Sequence, residues 1–184
     1  MADDLMTNPY QLGNYFSIMP IPAIEEHCIA LDAGPVTLVV ESRQLTDELA
    51  HGNIAPEIRE AAGARAELGL DDYGATLHVN GTVDGLEHLR FDCFENEPHY
   101  HYVRNADGGN LICRIDQHAE GDPIDWTLHR LRERLPEMLE FAGVPELAEQ
   151  TRANHERVLA VIDEVAELLG KARVQALADR GARA

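Results

Sequence analysis

The chain has 184 residues, of which 45% are hydrophobic and 26% are charged, and this composition is typical of a folded globular protein. Its 33 acidic side chains outnumber its 15 basic ones and give a net charge of −18, which argues against nucleic acid or an anionic membrane as a partner. The three cysteines lack metal-site spacing and no apolar run could span a bilayer, so we expect a cytoplasmic protein without disulfides.

The first region of the chain, residues 1–72, mixes irregular and regular patterns. Residues 8–22 (NPYQLGNYFSIMPIP) are interrupted by prolines and a glycine, which predicts an extended arm or loop. Residues 34–42 (GPVTLVVES) are rich in β-branched side chains and predict a strand. Residues 55–68 carry a proline in their first turn and predict a short helix.

The second region, residues 73–117, alternates polar and apolar side chains. The dipeptides Asn80-Gly81, Asp84-Gly85 and Asp107-Gly108 interrupt the alternation, and such dipeptides favour tight hairpin turns. The pattern therefore predicts an antiparallel meander with the four strands ATLHVN, LEHLRFDCF, HYHYVR and NLICRID.

The third region is helical. Asp122 followed by Pro123 predicts a helix start, Pro136 predicts a kink or a split, and Gly143 predicts the end of the first helix. A second helix is predicted from Pro145 to about residue 179. In both helices the apolar residues recur at steps of four and three, which favours an antiparallel hairpin or a coiled-coil seam.

These patterns together predict an α+β protein in which an antiparallel meander sheet packs with helices and a C-terminal helical hairpin follows. We expect residues 1–121 to form the sheet domain with its N-terminal arm, and residues 122–184 to form the hairpin. The second helix is longer than the first, so the rest of its apolar stripe needs the sheet domain or another chain as a cover, and a homodimer is the simplest solution. We expect a homo-oligomer or a protein partner to contact Val165, Leu169 and Ala172.

The stretch LRFDCFENEPHYHYVR, residues 89–104, places histidines and tyrosines alternately on a strand. If the segment ENEP closes a four-residue loop, Asp92 lies opposite His101 and Phe91 lies opposite Tyr102. One face of the hairpin is then an apolar core face formed by Leu89, Phe91, Cys93, Tyr100 and Tyr102.

The opposite face of this hairpin is polar and carries the candidate site. Two histidines two residues apart, with an aspartate on the neighbouring strand, can ligate a divalent metal ion or act as general acid and base. Arginines beside them can hold a carboxylate or a phosphate. A polar face in contact with water would show the same alternation, so a solvated surface is an equal alternative. The candidate catalytic and metal-binding residues are Asp92, His99 and His101, and the candidate binding residues are His88, Arg90, Arg114 and Asp116.

Two segments, HLRFDCFENEPHYHYV and RIDQHAEGDPIDWTLHRLRERLPEMLEFAG, resemble a family of small bacterial proteins of unknown function, chiefly actinobacterial. Its members carry an LRFD-x-F…PHYHY hairpin followed by a helix that contains RLPEML. The resemblance covers about residues 75–148 and implies a shared domain without implying an activity. The Pro-His-x-His segment is also similar to one in the sheets of small toxins of the TumE type.

Two functions from different classes follow from these observations. The first is an accessory or interaction protein that associates through its C-terminal helices. The alternative is a small hydrolase or nuclease-like enzyme that uses His99, His101 and Asp92, with a divalent metal ion as the candidate cofactor.

Overall fold

The computed structural model describes residues 12–49 and 69–182, so the helix predicted at residues 55–68 lies outside the described residues. The described residues form a seven-stranded antiparallel sheet in the order β1-β7-β6-β5-β4-β3-β2. Its strands are β1 (Asn14–Phe16), β2 (Cys28–Asp32), β3 (Val36–Thr46), β4 (Asp71–Gly81), β5 (Glu87–Phe94), β6 (His99–Arg104) and β7 (Gly109–Arg114). The predicted strand at residues 34–42 and the predicted four-stranded meander are both confirmed.

The turns of the meander follow the predicted dipeptides with one exception. Gly85 and Gly108 have φ angles of 68° and 64°, the left-handed region that glycine enters without strain. Asn80-Gly81, by contrast, belongs to the end of β4 and makes no turn, because the backbone N–H of Gly81 donates to the carbonyl of Leu86 across the hairpin. Between β4 and β5 the chain therefore reverses at Asp84-Gly85 and not at Asn80-Gly81.

The pairing of β5 with β6 is shifted by two residues from the prediction. Asp92 lies opposite His99 and Phe91 opposite Tyr100, where a four-residue ENEP loop would have placed His101 and Tyr102. The loop is longer because the carboxylate of Asp72 accepts hydrogen bonds from the backbone N–H groups of Asn96 and Glu97. A two-residue shift leaves every side chain on its predicted face, so the assignment of the two faces is confirmed.

Helices α1 (Gln117–Glu120), α2 (Pro123–Glu133), α3 (Leu135–Ala142), α4 (Pro145–Ala153) and α5 (His155–Gly181) follow the sheet. The Asp122 carboxylate caps α2 by accepting from the backbone N–H of Ile124 at 2.8 Å. Pro136 lies in the first turn of α3, and Gly143 ends α3 with a φ of 95°, as predicted. The predicted single helix from Pro145 is two helices, since the chain leaves helical geometry at Asn154.

The long helix α5 packs across β3 and β4, while α4 packs against α3 and α2 against α5. Val165, Leu169 and Ala172, which were predicted to contact another chain, are buried against this chain's own sheet. One hydrophobic core includes residues from both the sheet and the helices, and it is continuous across the domain boundary predicted at residue 121. Among the described helices, none combines the length and the apolar character needed to cross a bilayer.

The face of the sheet opposite the helices is covered by residues 17–24, here called the N-terminal strap. Arg90 and Arg43 donate to the carbonyl oxygen of Ile21, at 2.8 and 3.0 Å. Asn110 donates to the carbonyl of Ile18 at 2.7 Å. Residues 17–22 of the predicted arm are therefore irregular as predicted, although residues 14–16 form β1 and residues 8–11 lie outside the described residues. The strap places the polar sheet face in the interior of the protein.

Candidate functional site

The polar face is buried beneath the strap, and this excludes the solvated surface that the sequence left open. Polar and apolar residues alternate along the neighbouring strands. Because successive side chains of a strand point to opposite faces of the sheet, the polar ones share one face. The buried polar residues of this face are Glu41, Arg43, Thr76, His78, His88, Arg90, Asp92, His101 and Asn110.

Asp92, His99 and His101 form one compact group, here called the histidine–aspartate cluster. Asp92 Oδ2 lies 2.9 Å from His101 Nε2 and 3.3 Å from His99 Nε2. One ligand-type atom from each of the three residues lies within 4.8 Å of the others. Strand β5 supplies the aspartate and strand β6 supplies both histidines, so sheet pairing alone brings them together.

The orientation of each imidazole ring is set by an oxygen on its far side. His99 Nδ1 lies 2.7 Å from the carbonyl oxygen of Glu97, which can only accept, so Nδ1 carries the proton. His101 Nδ1 lies 2.8 Å from Asn110 Oδ1. The Asn110 amide nitrogen donates to Ile18 and fixes which end of the amide faces the ring. In the neutral form of each ring, the lone pair of Nε2 therefore points toward Asp92.

The Asp92 carboxylate is held from its other side by a hydroxyl. Thr76 on β4 donates to Asp92 Oδ1 at 2.6 Å, which leaves Oδ2 as the oxygen that faces both histidines. Burial raises the pKa of Asp92, but the hydrogen bonds and charges of His101 and His99 outweigh burial and hold it well below its ordinary value. Asp92 is therefore ionised over the physiological range.

The two histidines differ in their electrostatic surroundings. Burial lowers the pKa of His101, and the neighbouring His99 and Arg90 lower it further against the effect of Asp92. Burial also lowers the pKa of His99, but there the hydrogen bond and charge of Asp92 prevail and raise it overall. His101 is thus the histidine held in its neutral form.

A cavity of about 240 Å³ opens directly above the cluster. Its floor contains the cluster itself together with Arg43, Arg90 and Asn110. Its walls and roof are mostly apolar and come from the strap and the sheet, including Phe16, Ile18, Met19, Leu45, Phe94 and Ile112. The cluster therefore faces a small chamber with a charged floor and an apolar roof.

A second buried group, here called the carboxylate–arginine network, lies beside the cluster and consists of Glu41, Arg43, His78, Glu87 and Arg90. His78 Nδ1 lies 2.6 Å from Glu87 and its Nε2 lies 3.1 Å from Glu41, so a doubly protonated ring donates to two carboxylates. Burial lowers the pKa of His78, but these carboxylates outweigh burial and raise it. Arg90 and Arg43 neutralise the carboxylates and also hold the strap.

The predicted binding residues are not all brought together. Arg90 lines the cavity floor. His88 is buried but hydrogen-bonds to Asp84 and Asn105 at the turn end of β5. Arg114 is exposed and pairs with Glu97, and Asp116 caps α1. Sequence reasoning missed Thr76, Asn110, Glu41, Arg43 and Glu87, although Thr76 lies two residues before His78 and alternation on β4 would have found it.

The fold and the cluster define a class of protein: an α+β domain whose antiparallel sheet carries helices on one face and a strap over a buried histidine–aspartate cluster on the other. A family model described as a domain of unknown function (DUF7700) matches residues 30–169, and the chain belongs to this family. The matched range contains the whole cluster, and it confirms the predicted relation to a family without an assigned activity. Comparison with curated proteins and with solved structures gives no match.

Proposed function

We propose that the protein binds a divalent transition-metal ion at Asp92, His99 and His101 and uses it on a small molecule within the cavity. The observation that carries the proposal is that ligand atoms of two imidazoles and one carboxylate lie within 4.8 Å of one another. In proteins, acceptors beyond a metal-binding histidine commonly fix its tautomer in this way, as Glu97 and Asn110 do here.

The spacing of the atoms supports this proposal. Nitrogen and oxygen ligands lie about 2.0–2.2 Å from a zinc-type ion, so neighbouring ligands in tetrahedral or octahedral geometry are about 2.9–3.5 Å apart. The separations of Asp92 Oδ2 from the two Nε2 atoms, 2.9 and 3.3 Å, lie within that range. Two imidazoles with one carboxylate favour zinc, iron(II) or cobalt over magnesium or calcium.

The electrostatics also favour a cation. The net charge of −18 raises the local concentration of divalent ions around the molecule. Within the cluster, Asp92 is ionised and His101 is held neutral, as metal ligands are, and the proton that Asp92 favours on His99 leaves when an ion binds.

Three protein ligands leave coordination positions for water or a substrate, as in catalytic rather than structural metal sites. An ion with such a position acts as a Lewis acid and lowers the pKa of bound water, which is the chemistry of a hydrolase. The small cavity and the negative surface favour a small substrate over a nucleic acid, so we propose a metal-dependent enzyme of the cytoplasm and not a nuclease.

Titration of the metal-free protein with Co²⁺ tests the proposal, because cobalt bound by imidazole and carboxylate has a visible absorption spectrum. We expect one equivalent per chain to bind and to raise the melting temperature. His99→Ala should abolish this binding, while His129→Ala, which removes an exposed histidine from α2, should leave it unchanged. Equal Co²⁺ binding by both variants, or none by the natural protein, contradicts the proposal.

Association with a partner is a second candidate function, and exposed apolar side chains at the end of α5 favour it. Val174 and Leu177 are 67% and 54% exposed, although Val165, Leu169 and Ala172 of the predicted contact are covered. We propose a homodimer through this end of the helix. Light scattering should give twice the mass of the chain, and Val174→Glu should halve it; a monomeric natural protein rules the dimer out.

A further inference from the structure

The cavity above the cluster has dimensions and walls that restrict its ligand, and the inference drawn from them rests on the proposed metal site. A water molecule occupies about 30 Å³ of liquid, so the volume of about 240 Å³ holds a ligand of about eight non-hydrogen atoms. A nucleotide or a peptide is too large to lie within this space. The ligand that fits is a single small organic molecule.

The walls of the cavity determine the chemistry of the part of the ligand that points away from the cluster. Phe16, Ile18 and Met19 come from the strap side, and Leu45, Phe94 and Ile112 come from the sheet. These side chains offer no hydrogen bond to a polar substituent, and burying an unpaired hydroxyl or carboxylate against them is unfavourable. The part of the ligand that points away from the cluster is therefore apolar.

The charges on the floor of the cavity determine the charge of the ligand group that lies next to the cluster. Two buried carboxylates, Glu41 and Asp92, and the partly buried Glu87 lie with the two arginines Arg43 and Arg90 in or beside the floor. With a divalent ion bound and His78 doubly protonated, these groups have two uncompensated positive charges. An anionic head group reduces this excess, and arginines and metal ions both bind carboxylates well.

From this combination we propose that the cavity takes a small monocarboxylate with an unbranched or aromatic apolar tail, with the carboxylate at the metal and the tail under the strap. Hexanoate fits the size that the cavity sets. The carboxylate reaches the open coordination positions on the floor, and the tail lies along Ile18, Met19 and Ile112.

Titration of hexanoate into the Co²⁺-loaded protein tests the ligand class, with the visible cobalt spectrum and calorimetry as readouts. We expect saturable binding that changes the spectrum. Hexanedioate and 1-hexanol should each bind at least tenfold more weakly, since the first buries a second charge in the apolar end and the second lacks the anionic head.

A matched pair of variants tests the position of the tail. Met19 is 45% exposed and lines the cavity, whereas Leu86 is 47% exposed in the turn between β4 and β5, away from the lining. Met19→Asp should weaken hexanoate binding at least tenfold and leave Co²⁺ binding intact, while Leu86→Asp should change neither. Because both side chains are partly in solvent, neither substitution is expected to unfold the protein.

The outcomes separate the two proposals. Co²⁺ binding without hexanoate binding overturns the ligand class and leaves the metal site in place. Equal affinity for hexanedioate, or an equal effect of Met19→Asp and Leu86→Asp, overturns the apolar orientation of the tail. Absence of Co²⁺ binding overturns both proposals.

Discussion

A substitution of Thr76 tests whether its hydrogen bond stabilises the ionised Asp92. The hydroxyl of Thr76 donates to Asp92, so the substitution changes this one contact of the cluster. The substitution Thr76→Val removes the donor of the 2.6 Å hydrogen bond to Asp92 Oδ1 and keeps the branched shape of the side chain. Asp92 is buried among its neighbours, so its charge depends on the few donors that contact it.

The size of the effect follows from the charge on Asp92. A hydrogen bond to a charged group contributes about 1.5–3 kcal/mol to stability, so we expect the free energy of unfolding to fall by about 2 kcal/mol. For a chain of this length that loss lowers the melting temperature by about 4–8 °C. Loss of a hydrogen bond that orients a metal ligand typically weakens metal affinity about 10–100-fold, and we expect a change in that range for Co²⁺.

Thr127 of α2 is the matched control, since it is equally buried and its helix packs on the other face of the sheet. Its hydroxyl meets only the thiol of Cys93, at 3.4 Å. Urea unfolding and Co²⁺ titration of both variants should show a larger stability loss for Thr76→Val, and a loss of metal affinity in that variant alone. Equal behaviour of the two valine variants would refute the role assigned to Thr76 and the claim that Asp92 is charged in the folded protein.

Two further predictions concern the buried network and the helical core. Burial raises the pKa of Glu87, but His78 and Arg90 outweigh burial and lower it from 4.5 to about 2, so its stabilising effect is present above pH 4.5 and lost toward pH 2. Urea unfolding across that window should show the loss in the natural protein and a smaller one in Glu87→Gln; identical profiles would contradict the assignment. Leu169→Ala should cost about 2–5 kcal/mol because its side chain is buried against the sheet, while Leu159→Ala, at a half-exposed position of the same helix, should cost less than about 1 kcal/mol. Equal losses would show that α5 does not pack as described.

The faces of the sheet could be predicted from the sequence because side-chain alternation depends on local backbone geometry alone. Phe91 and Tyr100 are in the core and Asp92 and His101 are on the other face, as the period of two requires. The exact pairing could not be predicted, because it depends on the hydrogen bonds of Asp72 to a loop more than twenty residues away. The local pattern therefore predicts which face of the sheet a side chain lies on. The residue it pairs with on the neighbouring strand depends on contacts that are distant in sequence.

Burial of the polar face could not be predicted for a similar reason. Nothing in residues 17–24 has a periodic pattern, and the strap is held by its backbone carbonyls, which are the same in every sequence. The apolar stripe of α5 was recognised correctly, and of the two covers that it allowed, the sheet domain or another chain, the sequence favoured another chain. A stripe shows that a helix is covered and does not show what covers it, and here the cover is β3 and β4.

The two buried polar groups differ in a way that bears directly on the metal proposal. In the carboxylate–arginine network, His78 donates from both ring nitrogens and each carboxylate has a cationic partner, so protein groups alone satisfy the network. In the histidine–aspartate cluster, the donors of both neutral rings are already used by Glu97 and Asn110, and three acceptor atoms then face one another. Such an arrangement is unfavourable in a buried site unless a proton or a cation lies between the acceptors. A proton on His99, whose pKa Asp92 raises, relieves the contact between that ring and Asp92. His101 is held neutral by burial, so a cation is the better solution for its contact with Asp92, whereas the equally buried Glu41 has protein donors for its own contacts.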